Sequence, residues 1–378
     1  MIYLDNAATS LHKPEGVARA VFDAINTLGS ASRGTYPSAL DADRMIFETR
    51  EKLKTLFNVK SSSLVAFTSN ATESLNIAIK GTLLPNDHVI TTAMEHNSVL
   101  RPLYEMENQG VLLTILSCDE QGSFSYDEME SAINEDTKAI ICTHASNLTG
   151  NLVDIRRVGE ICRKHHLLFI LDASQTAGVF PIDMEKDFID ILCFTGHKGL
   201  MGPQGTGGIC LRGEVRPRPL ITGGSGIMTF EKEHPSYMPT ALEAGTLNVH
   251  GIAGLHASLS FIEEEGQDNI RRKELALAEY FYERIKKMKG VKIYGDFTDW
   301  NRAAIISLNL GETDSNIVSD ELAERFDIYT RSGGHCAPLM HKTFGTEGQG
   351  MVRFSFSSMN TFLEADYAIK ALKTLLEE

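Results

Sequence analysis

Short apolar runs recur along the first 215 positions, separated by stretches with helical spacing. LVAFT (64–68), HVITT (88–92), VLLTIL (111–116), KAIICTH (138–144), LLFILD (167–172) and IDILCFT (189–195) each suit one buried strand. Apolar positions in 41–57, 125–134 and 154–165 fall on one helical face, and SNATESLNIAIKG (69–81) opens as a helix. Strands that are apolar throughout and alternate with helices predict an α/β fold, a mostly parallel sheet sandwiched by helices. GGICLRG (207–213) reads as the hairpin-like exception that returns antiparallel. After about residue 255 the pattern changes. Residues 252–289 read as one long helical region ending at Lys289-Gly290, with strands expected at 303–310 and 351–357. A last helix starts near Thr361, where Thr361 and Glu364 form a capping box ahead of Ala365, Ile369 and Leu372. The expected organisation is a large domain over 15–255 and a smaller α+β domain made of 1–14 and 256–378.

Composition narrows the class. The chain has 378 residues, 42% hydrophobic and 23% charged, the balance of an ordinary globular protein with room for a large core. Asp plus Glu number 50 against 36 Lys plus Arg, a formal charge of −14, which argues against nucleic-acid or anionic-membrane binding. No apolar run approaches the ~18 residues of a membrane span. The start, MIYLDNAATS, has neither the basic nor the apolar region of a signal peptide. Five of the six cysteines (118, 142, 162, 193, 210) lie in or beside apolar strand-like or helix-like runs, and no C-x-x-C pair occurs. That usage predicts reduced thiols and a cytoplasmic protein.

Two strand ends carry chemistry. DASQ (172–175) closes the run 167–172, and FTGHKG (194–199) closes 189–195. In a parallel sheet both emerge at the carboxyl edge, where ligands bind. An Asp and a Lys meeting there suit pyridoxal 5'-phosphate: Lys198 for a Schiff base, and Asp172 to keep the pyridine nitrogen protonated. SNATESLN (69–76) would offer the phosphate the free N–H groups of a helix start, with the Ala71 amide and the Thr72 hydroxyl as donors. His197 could add a hydrogen bond, and His96 in EHNSV (95–99) sits where an imidazole can stack on the cofactor ring. Each residue alone has an ordinary reading, a capped helix or a solvated side chain. Agreement among four strand ends carries the assignment.

From YLDNAAT (3–9) through SRGTY (32–36), SNATESLN, EHNSV, SNLTG (146–150), DASQ, TGHKG, GTLN (245–248), RSGGHCA (331–337) and VRFSFSSMN (352–360), the chain resembles the class V, fold-type I pyridoxal-phosphate enzymes. Cysteine desulfurases and selenocysteine lyases are the members it is most similar to. The resemblance implies that Lys198 is the Schiff-base lysine and general base, Asp172 the pyridinium partner and His96 the stacking ring. It assigns Asn147 and Gln175 to the cofactor's phenolic oxygen. Thr72, Thr195 and His197 would hold the phosphate, with Thr246 supplied by a second subunit, so a homodimer is implied. Arg353 would clamp the substrate carboxylate with its planar fork, beside Arg331 and Asn147.

Cys336 separates the possible reactions. RSGGHCAP (331–338) places a thiol in a glycine-flanked turn, where Arg331 or a protonated His335 is expected to favour the thiolate. His335, Cys336 and His341 lack a fourth spaced ligand, and no metal is expected. The reading is a desulfurase that converts L-cysteine to L-alanine with a persulfide on Cys336, and a protein that accepts the sulfur. L-selenocysteine is the alternative substrate, and a class V aminotransferase-like reaction would leave Cys336 without a use. The turn departs from the family pattern in having Gly334 where a first histidine often precedes the cysteine. GTGG (205–208) lacks the spacing of a dinucleotide site.

Overall fold

The computed structural model describes residues 1–31 and 34–378. Ser32 and Arg33, which begin the SRGTY motif, lie outside the described residues. The chain opens with a short strand, β1 (Ile2–Tyr3), and two helices, α1 (Glu15–Thr27) and α2 (Pro37–Phe57). Strand–helix pairs follow: β2 (Val65–Thr68) with α3 (Ala71–Thr82), β3 (His88–Thr92) with α4 (Asn97–Glu107), and β4 (Leu112–Leu116) with α5 (Tyr126–Ser131). Then come β5 (Thr137–Thr143) with α6 (Ile155–His165), β6 (Leu168–Asp172), β7 (Ile191–Thr195) and β8 (Gly207–Leu211).

These strands form one seven-stranded sheet in the order β2-β8-β7-β6-β5-β3-β4. Only β8 runs antiparallel, paired with β7 on one side and β2 on the other, as the hairpin reading anticipated. Central strands such as β3 and β7 are buried at every position, the polar His88, Thr91 and Thr92 of β3 included, as cover on both faces of the sheet requires. Parallel register sets Thr143 opposite Asp172 and Asp172 opposite Cys193, so the tips of β5, β6 and β7 share one edge.

The second half departs from the sequence pattern in one place. The helical region expected over 252–289 is two helices, α7 (Val249–Glu265) and α8 (Gln267–Ile285). Gly266 breaks it with φ of +83°, a left-handed conformation that costs glycine little and other residues more. Strand β9 (Val291–Tyr294) follows; four alternating residues next to Lys289-Gly290 were too weak a signal to read. β10 (Ile305–Leu310), α9 (Ser315–Phe326), β11 (Ile328–Tyr329), α10 (Pro338–Phe344), β12 (Val352–Ser355) and α11 (Phe362–Glu377) complete the fold. α11 carries the expected capping box at Thr361 and Glu364, a cap worth about 1 kcal/mol.

β9, β10 and β12 make an antiparallel three-stranded sheet with its own apolar core. Phe281 of α8 lies 4.9 Å from Phe354 and 5.4 Å from Phe356, ring centre to ring centre. Burial of each such ring stabilises by about 1.5–3 kcal/mol. The amino terminus joins this core: β1 pairs in parallel with β11, and Leu4 is fully buried there. From Leu4 the segment crosses to the large sheet, where the Ser10 amide donates to the His197 carbonyl at 2.9 Å. Among the described residues no helix is long and apolar enough to cross a membrane.

Candidate active site

The edge shared by β5, β6 and β7 opens into a cavity of about 200 Å³. Asp172 and Lys198 both line it. Asp172 ends β6 and is 2% exposed; its Oδ1 accepts from the Ser174 amide at 2.9 Å and from the Ser174 hydroxyl, and Oδ2 has no hydrogen bond among the described residues. Lys198 follows β7, and among the described residues its Nζ makes no hydrogen bond. Loss of solvent lowers its ammonium from 10.5 to about 8, against the pull of Asp172 in the other direction, and Arg353 and Arg331 push the same way as burial.

The start of α3 closes one end. Asn70 caps it by accepting from the Glu73 amide at 3.0 Å, while the Ala71 and Thr72 amides point from the first turn without an acceptor. Thr195 is 3% exposed, and its hydroxyl reaches the Thr206 carbonyl only at 3.5 Å. His197 lies nearby, its Nδ1 3.0 Å from the Thr9 hydroxyl. His96 caps α4, with Nδ1 accepting from the Ser98 amide at 3.0 Å. Burial, and then the nearby lysine, lower His96 to about 4. The residue before it, Glu95, is fully buried, and its Oε1 accepts from the Thr92 hydroxyl at 2.7 Å and the Thr143 amide at 3.1 Å. Burial pushes that carboxyl up to about 8, so it spans the tips of β3 and β5 as a neutral acid.

Asn147, Gln175, Arg331 and Arg353 also line the cavity. Asn147 Nδ2 donates to the His335 carbonyl at 2.7 Å, leaving Oδ1 buried and unpaired. Gln175 Nε2 donates to the Ala7 carbonyl at 3.2 Å. Arg353, 2% exposed on β12, donates from Nη2 to Asp5 Oδ1 at 2.8 Å and from Nη1 to the Asn147 carbonyl at 2.9 Å. Arg331 makes no side-chain hydrogen bond, and its backbone pairs with that of Arg353.

With this geometry the chain can be placed among known proteins. The family model for aminotransferase class-V matches residues 2–367. The chain belongs to the aminotransferase class-V family. That family consists of pyridoxal-phosphate enzymes. A protein of Methanothermobacter thermautotrophicus named as a probable cysteine desulfurase is 32% identical over all of this chain and 94% of its own length. One of the same name from Pyrococcus abyssi is 30% identical with the same coverage. Among solved structures, the apo cysteine desulfurase of Thermococcus onnurineus NA1 superposes with a TM-score of 0.93 at 30% identity, covering 100% of this chain and 94% of that one. The cysteine desulfurase CsdA of Escherichia coli gives a TM-score of 0.88 at 26% identity, covering 99% and 94%.

Ala71, Thr72, His96, Asn147, Asp172, Gln175, Thr195, His197, Lys198, Arg331 and Arg353, all singled out from the sequence, line one cavity. Two other residues named from sequence stand apart. Cys336 is exposed and outside the cavity lining, although the neighbouring His335 lines it. Thr246 lines a separate cavity of about 200 Å³ with Ser69, Gly205 and Asn248. The expected help from a protonated His335 is corrected. That ring is 4% exposed, and burial and the Arg353 charge hold it well below 6.5, so it is neutral and lends Cys336 no charge.

The cysteine turn is instead fixed by its backbone. His335 and Cys336 have φ of +49° and +54°, consecutive left-handed residues that side chains normally avoid. The Asn147 bond to the His335 carbonyl and an Asn97 amide bond to the Cys336 carbonyl at 2.8 Å pin the turn to the cavity rim. Sequence reasoning missed Ser98, Ser174 and Asp5. Ser98 and Asp5 lie inside the quoted motifs EHNSV and YLDNAAT, but nothing in a motif says which of its members orients another.

Proposed function

We propose that this class-V enzyme is a pyridoxal-phosphate-dependent cysteine desulfurase, converting L-cysteine to L-alanine with Cys336 taking the sulfur. The residues present fit the cofactor. Asn147 Oδ1 is a buried polar atom without a partner among the described residues, Ala71 and Thr72 at the α3 start line the cavity, and burial lowers the Lys198 ammonium to about 8. Lys198 would carry the cofactor, with Asp172 at the pyridine nitrogen, His96 over the ring, Gln175 and Asn147 at the phenolic oxygen, and the α3 start, Thr195 and His197 at the phosphate. Once bound, that cofactor delocalises negative charge developing at the substrate α-carbon.

The protein's own steps follow from where its groups stand. Arg353, with Arg331 paired to it through the backbone, binds the substrate carboxylate. Lys198, whose amine is neutral in a substantial fraction near pH 8, takes the proton from the α-carbon. Cys336, as a thiolate, attacks the substrate sulfur. A sulfur–sulfur bond forms, the carbon–sulfur bond breaks with its electron pair left on the carbon side, and a proton returned to that carbon completes alanine. The persulfide then passes to a thiol on an acceptor protein. A homodimer is part of this reading, because Thr246 lies in a cavity of its own and would serve the partner's phosphate site.

The observation that carries the proposal is that Asp172 and Lys198 line one cavity, with the Cys336 turn docked at its rim through Asn147 and Asn97. Product analysis tests it. Purified holoenzyme given L-cysteine is expected to release alanine and sulfide in the presence of a reductant. L-selenocysteine measured side by side should not be strongly preferred. No alanine from L-cysteine, or alanine at full rate from Cys336→Ala, would defeat the assignment.

A further inference from the structure

Three histidines line the cavity, and two of them, His96 and His197, form a hydrogen bond through Nδ1. A neutral imidazole carries a single N–H, and the nitrogen that holds it decides whether the free edge donates or accepts. His96 is settled by its partner. The Ser98 backbone amide can only donate, so Nδ1 is bare and the hydrogen is on Nε2.

His197 meets a hydroxyl, which can do either. Thr9 Oγ1 lies 3.0 Å from His197 Nδ1 and 3.2 Å from the His197 carbonyl, with one hydrogen to give. That carbonyl already has two donors, the Ser10 amide at 2.9 Å and the Ser10 hydroxyl at 3.1 Å. The Ser10 hydroxyl is itself oriented as a donor, because Lys13 Nζ donates to its oxygen at 2.9 Å. Both carbonyl lone pairs are thus served, and the Thr9 hydrogen is free for Nδ1. The Tyr3 hydroxyl, donating to the Thr9 carbonyl at 2.8 Å, anchors the residue.

We propose that Thr9 is a positioning residue: its hydroxyl donates to His197 Nδ1 and holds the ring as the Nε2–H tautomer, so that the edge facing the cavity is a hydrogen-bond donor for an anion. This rests on the reading of the cavity as a pyridoxal-phosphate site. Among the described residues His197 Nε2 has no hydrogen-bond partner, so its state shows toward a ligand. Burial lowers the ring to about 4, with Lys198 and Lys13 also disfavouring its charge. A neutral ring with the hydrogen on the wrong nitrogen would turn a lone pair toward phosphate. The Thr9 hydroxyl removes that state without adding a charge.

The experiment uses the full-length apoprotein labelled with ¹⁵N-histidine, at pH 7.5, with His197 assigned from its loss in His197→Gln. The expected wild-type spectrum shows His197 Nδ1 bare and Nε2 protonated, matching His96. Thr9→Val, similar in shape but without the hydroxyl, should show a mixture of tautomers at His197 and none at His96. Its affinity for inorganic phosphate, read by titration of the same resonances, should fall about tenfold, the loss of one well-placed donor to a charged group. Thr9→Ser should restore both readings. A protonated Nδ1 in the wild type, or an unchanged His197 pattern in Thr9→Val, overturns the proposal, and the wild-type spectrum alone is enough to do so. The expected tautomers with no binding of phosphate or of pyridoxal phosphate would instead refute the cofactor reading and leave the role of Thr9 in setting the tautomer standing.

Discussion

Arg353 Nη2 donates to Asp5 Oδ1 at 2.8 Å, joining β12 to the amino-terminal segment at the wall of the cavity. The guanidinium is therefore held in place before any substrate arrives, and burial lowers its pKa while Asp5 opposes that shift. Its Nε is buried with no partner.

Substitution of Arg353 should separate charge from geometry. Arg353→Lys keeps a cation but loses the planar fork, and KM for L-cysteine should rise about tenfold or more, ~1.4 kcal/mol or more of binding. Arg353→Ala should also unpair Asp5 and reduce stability by roughly 3 kcal/mol. Steady-state kinetics and urea unfolding measure the two effects separately. An unchanged KM in both variants would give the carboxylate to another residue.

Lys198 should react as an amine with a pKa near 8. The rate at which apoprotein captures pyridoxal phosphate should rise with pH through a midpoint at about 8, far below the 10.5 of a solvated lysine. Stopped-flow absorbance gives that profile. Lys198→Ala should remove the visible absorbance while circular dichroism shows the fold unchanged.

Glu274, outside the lining of the Asp172–Lys198 cavity, offers a stability test. Its Oε1 accepts from the Ser358 amide at 3.1 Å, and burial pushes its carboxyl from 4.5 up to about 8. The folded state binds this proton more tightly than the unfolded chain does. The favourable contribution is therefore complete below about 4.5 and is lost as pH rises through about 8. Glu274→Gln cannot ionise, so its stability relative to wild type should grow across that window by on the order of 1.4 kcal/mol per pH unit. Thermal melts at pH 5 and pH 8 compare the two proteins. An equal Tm gap at both would mean that Glu274 is not buried as a neutral acid.

The sheet and the edge that bears the site were legible because β6 and β7 are apolar at all but their last position and β3 and β5 carry short apolar centres, as strands covered on both faces do. Asp172 and Lys198 could then be placed at one edge, since parallel neighbours end together. Gly266 was not legible as a break, because the periodicity continues on both sides of it and only the backbone angle reveals the interruption. The charge state of His335 was misread for a related reason. RSGGHCAP looks polar and solvent-facing, yet tertiary packing buries the imidazole and neutralises it. Asp5 and Thr9 act through hydrogen bonds to side chains far along the chain, and such pairings leave no local pattern; the Ser98 amide bond to His96 is local, but nothing in EHNSV says that it forms. β1 and β11, two residues each, are too short to carry a period.

Cys336→Ala should divide the activity. The cofactor spectrum and L-cysteine binding should persist, because the thiol lies outside the cavity lining. Alanine formation should drop by about 100-fold or more, ~2.7 kcal/mol or more in the barrier.

The most direct measurement is the mass of the Cys336 peptide after one turnover without reductant. Holoenzyme mixed with one equivalent of L-cysteine should gain a single sulfur atom on that peptide and release an equal amount of alanine. Alanine formed with no sulfur on Cys336, or sulfur carried on another of the six cysteines, would contradict the account.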